Sequence, residues 1–205
     1  MSVIARDFYD RSALEVARDL LGCRLVRQLN GVCIAGSIIE TEAYQGEEDL
    51  GCHAAAGRTP RTAVMYGPPG HAYVYFTYGL HWLFNVVTDH EGTPAAVLIR
   101  AIQPVDGTDL MTKNRPFQAM KPGWTDRPAK LTQALGITGD FNGVNLCDRS
   151  SDLWIEHGET FPAGDVIQTA RVGLNTVPEP WKSIPWRFVV QSGHAALDEE
   201  VSIGS

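Results

Sequence analysis

Apolar residues Leu14, Val16, Ala17, Leu20 and Leu21 recur at helical spacing behind Ser12 and Glu15, which stand at the separation of a capping box. The pattern predicts a first helix that Gly22 stops, since glycine accepts the left-handed conformation that closes a helix. The period then changes to two. RLVRQL and VCIAGSIIETEAY flank Asn30 and Gly31, a pair that tolerates positive φ at both centre positions of a type I′ turn, so two antiparallel strands are expected to meet there. Strict alternation over residues 37–44 puts Ile38, Glu40, Glu42 and Tyr44 on one face and Ile39, Thr41 and Ala43 on the other.

Further on, HAYVYFTYG and HWLFNVVT are dense in aromatic and β-branched residues, and DHEGTP separates the second from AAVLIRAIQP. This predicts more antiparallel pairing, with Arg100 in the return strand. Residues 104–127 carry Pro104, Gly107, Pro116, Pro122 and Gly123 with little periodicity, which reads as a long loop or short helical turns. PAKLTQAL begins with Pro128 and is followed by Gly136, the arrangement of a short helix. Later strands are expected in DLWIEHG and WRFVVQ. No repeat, low-complexity tract or linker divides the chain. The expected fold class is therefore α+β: a single domain over residues 1–205, with an antiparallel curved sheet and flanking helices.

Composition changes this picture little. At 205 residues with 44% hydrophobic and 20% charged content, the chain can bury a core and lacks the signature of disorder. A monomer is expected. The start has no basic region followed by an apolar stretch, and no window approaches a membrane span, so the expected compartment is the cytoplasm, with nucleoid association if the source is bacterial. Cys23, Cys33, Cys52 and Cys147 form no CxxC pair and are expected as free, mostly buried thiols.

Charge changes it more. A net charge of −7 has the wrong sign for holding nucleic acid by bulk attraction, so such a role requires a local basic face. Arg100, Lys113, Arg115, Lys121, Arg127 and Lys130 could supply one, while acidic residues crowd 40–49 and 198–200.

The acidic run raises the chemical question. Glu40, Glu42, Glu47, Glu48 and Asp49 fall within ETEAYQGEED, and Glu40 and Glu42 share a strand face. Paired carboxylates can activate water against an oxocarbenium-like centre, although solvated strand glutamates look the same in sequence. Six histidines show no HxxxH and no pairing with cysteine, so no metal is expected. Tyr73, Tyr75, Tyr78, Trp82 and Phe84 suit either a strand core or a stacking wall for a planar ligand. Neither GxGxxG, GxxxxGK[ST] nor GxSxG is present, and no cofactor is expected.

Five blocks in order, IIETEAYQGEEDLGCH, RTPRTAVMYGPPGHAYVYFTYGLHWLFNVV, AVLIRAIQP, RPAKLTQALGI and ARVGL, closely resemble the alkyladenine DNA glycosylase family, the mammalian type of 3-methyladenine DNA glycosylase. The resemblance runs over roughly residues 7–190. It implies a base-excision-repair enzyme acting on duplex DNA that holds damaged purines. Glu42 would be the general base that activates water for attack on the deoxyribose C1′, and Arg100 would help hold that water. Tyr44, His53 and Tyr75 match side chains that enclose the flipped purine. Asn85 matches the asparagine that discriminates against guanine, and Tyr78 the residue wedged into the duplex where the base was. A buried base must leave the stack before its glycosidic bond can be reached, and something must fill the gap.

The chain departs from the family in RPAKL, where a glycine commonly precedes the proline, and at Leu80 and His81 after the wedge. The resemblance puts a carboxylate, and not Lys130, at the reacting centre, which implies hydrolysis without strand nicking. Lys130 itself reads as a solvated helix residue or a phosphate contact. Glu40 is expected as a structural carboxylate beside the site, and Glu47, Glu48 and Asp49 as a solvated loop. The expected substrates are 3-methyladenine and 7-methylguanine, with hypoxanthine and ethenoadenine less secure. The main alternative is a non-enzymatic module that binds damaged or single-stranded nucleic acid in the same aromatic pocket. Hydrolysis of a small glycoside, indifferent to the duplex, is a further alternative.

Overall fold

The structure, a computed structural model, describes residues 1–116 and 121–191. His194, the acidic run at 198–200 and positions 117–120 of the segment read as a loop lie outside the described residues. In chain order the elements are α1 (Arg6–Tyr9), α2 (Ala13–Asp19), β1 (Arg24–Leu29), β2 (Val32–Gln45), β3 (Ala72–Thr77), β4 (His81–Val87), β5 (Ala95–Asp106), α3 (Thr108–Asn114), α4 (Pro128–Leu135), β6 (Leu153–Glu156), β7 (Val166–Thr169) and β8 (Arg187–Val190). No helix among the described residues is long and apolar enough to cross a membrane.

Local chemistry accounts for the first elements. The Ser12 hydroxyl accepts from the Glu15 N–H at 3.4 Å and donates to the Glu15 carboxylate at 2.6 Å, so Ser12 caps the start of α2 and ties the Glu15 side chain to it. At its end Gly22 adopts φ +86°, and a Cβ there would stand 2.1 Å from the Glu159 carbonyl oxygen. Only glycine meets both demands. Asn30 and Gly31, at φ +51° and +79°, turn β1 into β2 as expected of a type I′ hairpin.

The sheet is antiparallel and curled, in the order β3-β4-β5-β2-β1-β6, with β7 and β8 attached through β2. β1 pairs with Val32–Ser37 of β2, while β8 pairs with Glu40, Thr41 and Glu42. β5 follows β2 along the opposite edge. Helices α2 and α4 pack on this sheet and enclose Leu20, Leu25, Ile34, Phe84, Ile99 and Leu131 in one core. The α+β class with a curved antiparallel sheet is as expected.

Several expectations need correction. Residues 104–127, read as a long loop or short helical turns, open instead with the end of β5 through Pro104 to Asp106, and α3 then supplies the helical turns. Pro104 pairs opposite Gly36, at a register irregularity where a missing N–H costs little. The short strand β7 carried no sequence signal. The four thiols are free, but Cys33 is exposed and Cys147 half-buried, so burial holds for only Cys23 and Cys52.

Strict alternation along β2 also fails. Ile38 pairs with Ile102, Glu40 with Ala101 and Thr41 with Ile99, which leaves Ile39 and then Arg100 without a partner across the ladder. These are two offsetting β-bulges, and each shifts the side-chain phase by one. Ile38 therefore joins Ala43 in the core, and the Thr41 hydroxyl donates to the Ala17 carbonyl of α2 at 2.7 Å. Glu42 and Tyr44 keep the opposite face. On β5 the same slip puts Val97, Ile99 and Ile102 in the core and frees Arg100 to follow Ala96 and Leu98 to the other side.

Candidate active site

The face so released lines a cavity of about 230 Å³. Its walls come from β2, β3, β4, β5, the turn beginning at His53 and the segment 172–174. All seven site residues expected from sequence, Glu42, Tyr44, His53, Tyr75, Tyr78, Asn85 and Arg100, line it. They are drawn from four strands and two connections far apart in sequence.

Glu42 is completely buried. Its Oε1 accepts the Val172 N–H at 2.6 Å, and its Oε2 accepts the Tyr44 hydroxyl at 2.9 Å and lies 3.3 Å from Arg100 Nη1. An ionised carboxylate offers about four lone-pair sites, so two hydrogen-bond donors beside the Arg100 charge leave room for a further partner, such as a water. Burial raises the Glu42 pKa above the usual carboxylate value; the Arg100 charge, the Val172 N–H and the Tyr44 hydroxyl oppose that rise. Glu42 is thus a stronger base than a surface glutamate, held where donors favour its ionised form.

Arg100 is in turn fixed by Glu40. The Arg100 Nε donates to Glu40 Oε1 at 2.6 Å, and Arg187 Nε from β8 donates to the same oxygen at 2.7 Å. Arg187, Glu40, Arg100 and Glu42 form a line of alternating charge from the half-buried rim to the cavity floor. Glu40 therefore orients Arg100, as expected of a carboxylate beside the site. Arg100 faces the cavity and leaves the basic surface proposed for residues 100–130, which also loses Lys130 to Asp126 at 2.6 Å.

The aromatic wall is equally ordered. His53 lies edge-on to Tyr75 with ring centroids 4.6 Å apart, and its Nδ1 is 2.9 Å from the Tyr73 hydroxyl. Burial and then the charge of Arg61 lower the His53 pKa to about 4, so the ring is neutral across the physiological range. The Asn85 Nδ2 donates to the Tyr73 carbonyl at 3.0 Å, which fixes the amide at the cavity edge. Tyr78 stands at the β3–β4 tip, 91% exposed and at φ +53°. A large aromatic held in solvent in a left-handed conformation is costly.

Sequence reading missed several participants. Asp49, expected in a solvated loop with Glu47 and Glu48, is fully buried and grips Arg171 through both carboxylate oxygens, at 2.5 and 2.8 Å. The Arg171 guanidinium lies 4.7 Å from the Tyr44 ring centroid and 5.2 Å from that of Trp186, so this pair supports the cavity wall from behind. Glu47 and Glu48 are exposed as expected. Val172 and Arg171 belong to ARVGL, a block legible as a match but not as a role, since a backbone N–H leaves no side-chain signal. Tyr73 and Arg187 were legible only as strand residues.

Residues 7–194 match the family model described as methylpurine-DNA glycosylase (MPG). A relative from Methanocella arvoryzae is 46% identical over 188 residues, covering 92% of each chain. One from Carboxydothermus hydrogenoformans is 45% identical over 93% of this chain and 96% of its own. A third, from Myxococcus xanthus, is 44% identical over 93% and 91% respectively. Each carries the provisional name 3-methyladenine DNA glycosylase.

Proposed function

The chain belongs to the methylpurine-DNA glycosylase family, and from that membership we propose that it hydrolyses the bond between a damaged purine and deoxyribose with a water activated by Glu42. A DNA glycosylase is a hydrolase acting on DNA. The observation that carries it is Glu42 itself, a carboxylate with no solvent exposure at the floor of an aromatic cavity, held by two hydrogen-bond donors and the Arg100 charge with acceptor capacity left over.

The damaged nucleotide leaves the duplex and its base enters between Tyr44 on one side and His53 and Tyr75 on the other, while Tyr78 fills the vacated stack. Stacking on rigid aromatics positions the C1′–N9 bond over Glu42. As that bond lengthens its electron pair moves onto the base and positive charge develops on the sugar, which the Glu42 carboxylate stabilises. The Glu42-held water forms the new O–C1′ bond and passes its proton to the carboxylate. Arg100 keeps the carboxylate ionised and oriented until then. With no amine at the reacting centre, the product is an abasic site in an unbroken strand. Alkylation at N3 or N7 gives the base a positive charge, so 3-methyladenine and 7-methylguanine leave readily. Hypoxanthine and ethenoadenine demand more from the pocket. Asn85 at the cavity edge crowds the exocyclic amine of guanine.

Single-turnover base release from four duplexes, each bearing one of these lesions, tests the reading, with Glu42→Gln beside wild type and products examined before and after alkali. Wild type should release at least the cationic purines, with strand breaks only after alkali. Glu42→Gln should lose roughly 10²- to 10⁴-fold in rate while keeping its affinity. Specific binding with no release from any duplex would instead favour a binding module.

A further inference from the structure

Two arginines back the aromatic walls of the cavity. Arg171 lies behind Tyr44, and its charge is cancelled by the two-oxygen grip of Asp49. Arg61 lies over the Tyr75 ring with its guanidinium carbon 4.8 Å from the centroid, and its Nη2 is 3.4 Å from His53 Nε2. Arg61 has no acidic partner among the described residues within 4.0 Å. It is exposed and does not itself line the cavity. A base stacked against Tyr75 and His53 would therefore share both rings with a positive charge that no carboxylate among the described residues pairs.

We infer that Arg61 is a specificity-determining residue: its charge holds back purines that enter the site as cations and assists the departure of any base. The inference rests on the glycosylase reading above. An aromatic ring attracts cations through its negative face, and a guanidinium already seated on Tyr75 weakens that attraction for a second cation. A 7-methylguanine base carries one positive charge in the nucleotide and departs neutral. Hypoxanthine is neutral and departs as an anion when no proton reaches it. In both, the C1′–N9 electron pair moves onto the base, whose charge falls by one unit as the bond breaks. Arg61 favours that change equally for the two, but in the bound ground state it repels only the first. Its contact with His53 keeps Nε2 an acceptor and leaves the proton on Nδ1, toward Tyr73, so that the ring beside the base is neutral.

The charge thus leaves separate marks on binding and on chemistry. The test is single-turnover release from duplexes carrying 7-methylguanine or hypoxanthine, as a function of enzyme concentration, for wild type, Arg61→Met and Arg61→Lys. An exposed guanidinium acts through a high effective dielectric, which limits each effect to roughly threefold to tenfold. Arg61→Met should lower the saturating rate on both duplexes by that factor, and lower the half-saturating concentration for 7-methylguanine alone. Arg61→Lys, which keeps the charge and loses the fork, should stay close to wild type. A phosphate contact would instead raise the half-saturating concentration equally on both duplexes, with rates unchanged, and that result would overturn the inference. So would Arg61→Lys behaving like Arg61→Met, since geometry and not charge would then be the agent. Absence of release by wild type from both duplexes would sink the glycosylase reading itself, and this inference with it, whereas release of 7-methylguanine with an unchanged half-saturating concentration in Arg61→Met would overturn the inference alone.

Discussion

At the scale of single residues, burial separates carboxylates that sequence leaves alike. The proposed base role of Glu42 needs its carboxylate ionised, and burial raises its pKa above the ordinary 4.5. The rate of base release should therefore rise with pH through that raised value and level off above it. A pH profile of the single-turnover rate checks this, and an acid limb centred at or below 4.5 would contradict it. His53, lowered to about 4, should add no second step between pH 5.5 and 8. Asp49 differs, because its task is to neutralise Arg171. Both side chains are fully buried, so Asp49→Asn strands a buried guanidinium and should cost about 3–5 kcal/mol in urea unfolding. Sequence placed Asp49 with Glu47 and Glu48 because nothing local distinguishes three acids in a row. The distinction lies in Arg171, more than a hundred residues away.

At the scale of elements, the β2–β5 ladder builds the cavity and the β3–β4 hairpin exposes Tyr78, the residue proposed to fill the gap in the duplex. Tyr78 holds φ +53° in solvent. Glycine adopts that conformation without strain, so Tyr78→Gly should leave stability unchanged or raise it by up to about 1 kcal/mol. The same change should depress base release from duplex DNA far more than from a single strand. Equal losses on both would show that Tyr78 serves the pocket and not the gap in the duplex. Gly22→Ala is expected to go the other way. It combines a left-handed φ with a backbone oxygen 2.1 Å from the new Cβ, and should destabilise by about 2 kcal/mol or more in thermal or urea unfolding. Helices and turns of this kind were legible because their signals are local: the box at Ser12, the pair Asn30 and Gly31, and Pro128 followed by Gly136. The bulges at Ile39 and Arg100 were not, since a bulge is a property of two strands in register.

At the scale of the whole molecule, a net charge of −7 sets how the chain meets DNA. Arg100 and Lys130, two of the cations expected on a basic face, are tied to Glu40 and Asp126. Binding to undamaged duplex should therefore be weak, with few phosphate contacts. A plot of log affinity against log salt is expected to have a slope of about −3 to −4, corresponding to about four contacts. A slope near −8 would reveal a cationic surface that the charge distribution hides.

By itself the sequence determined the fold class, most element positions, the family and the residues that meet in the cavity. Those properties rest on local pattern and on ordered blocks of side chains. Only the tertiary structure decided which carboxylates are buried, that Glu40 holds Arg100 between Glu42 and Arg187, and that Val172 donates its backbone N–H to Glu42. It alone set on Tyr75 an arginine with no acidic partner among the described residues, and on Tyr44 a paired one. The physical reason is common to all of these. Burial, strand register and charge compensation are relations between segments distant in the chain, and they come into being only when the sheet curls and closes around the site.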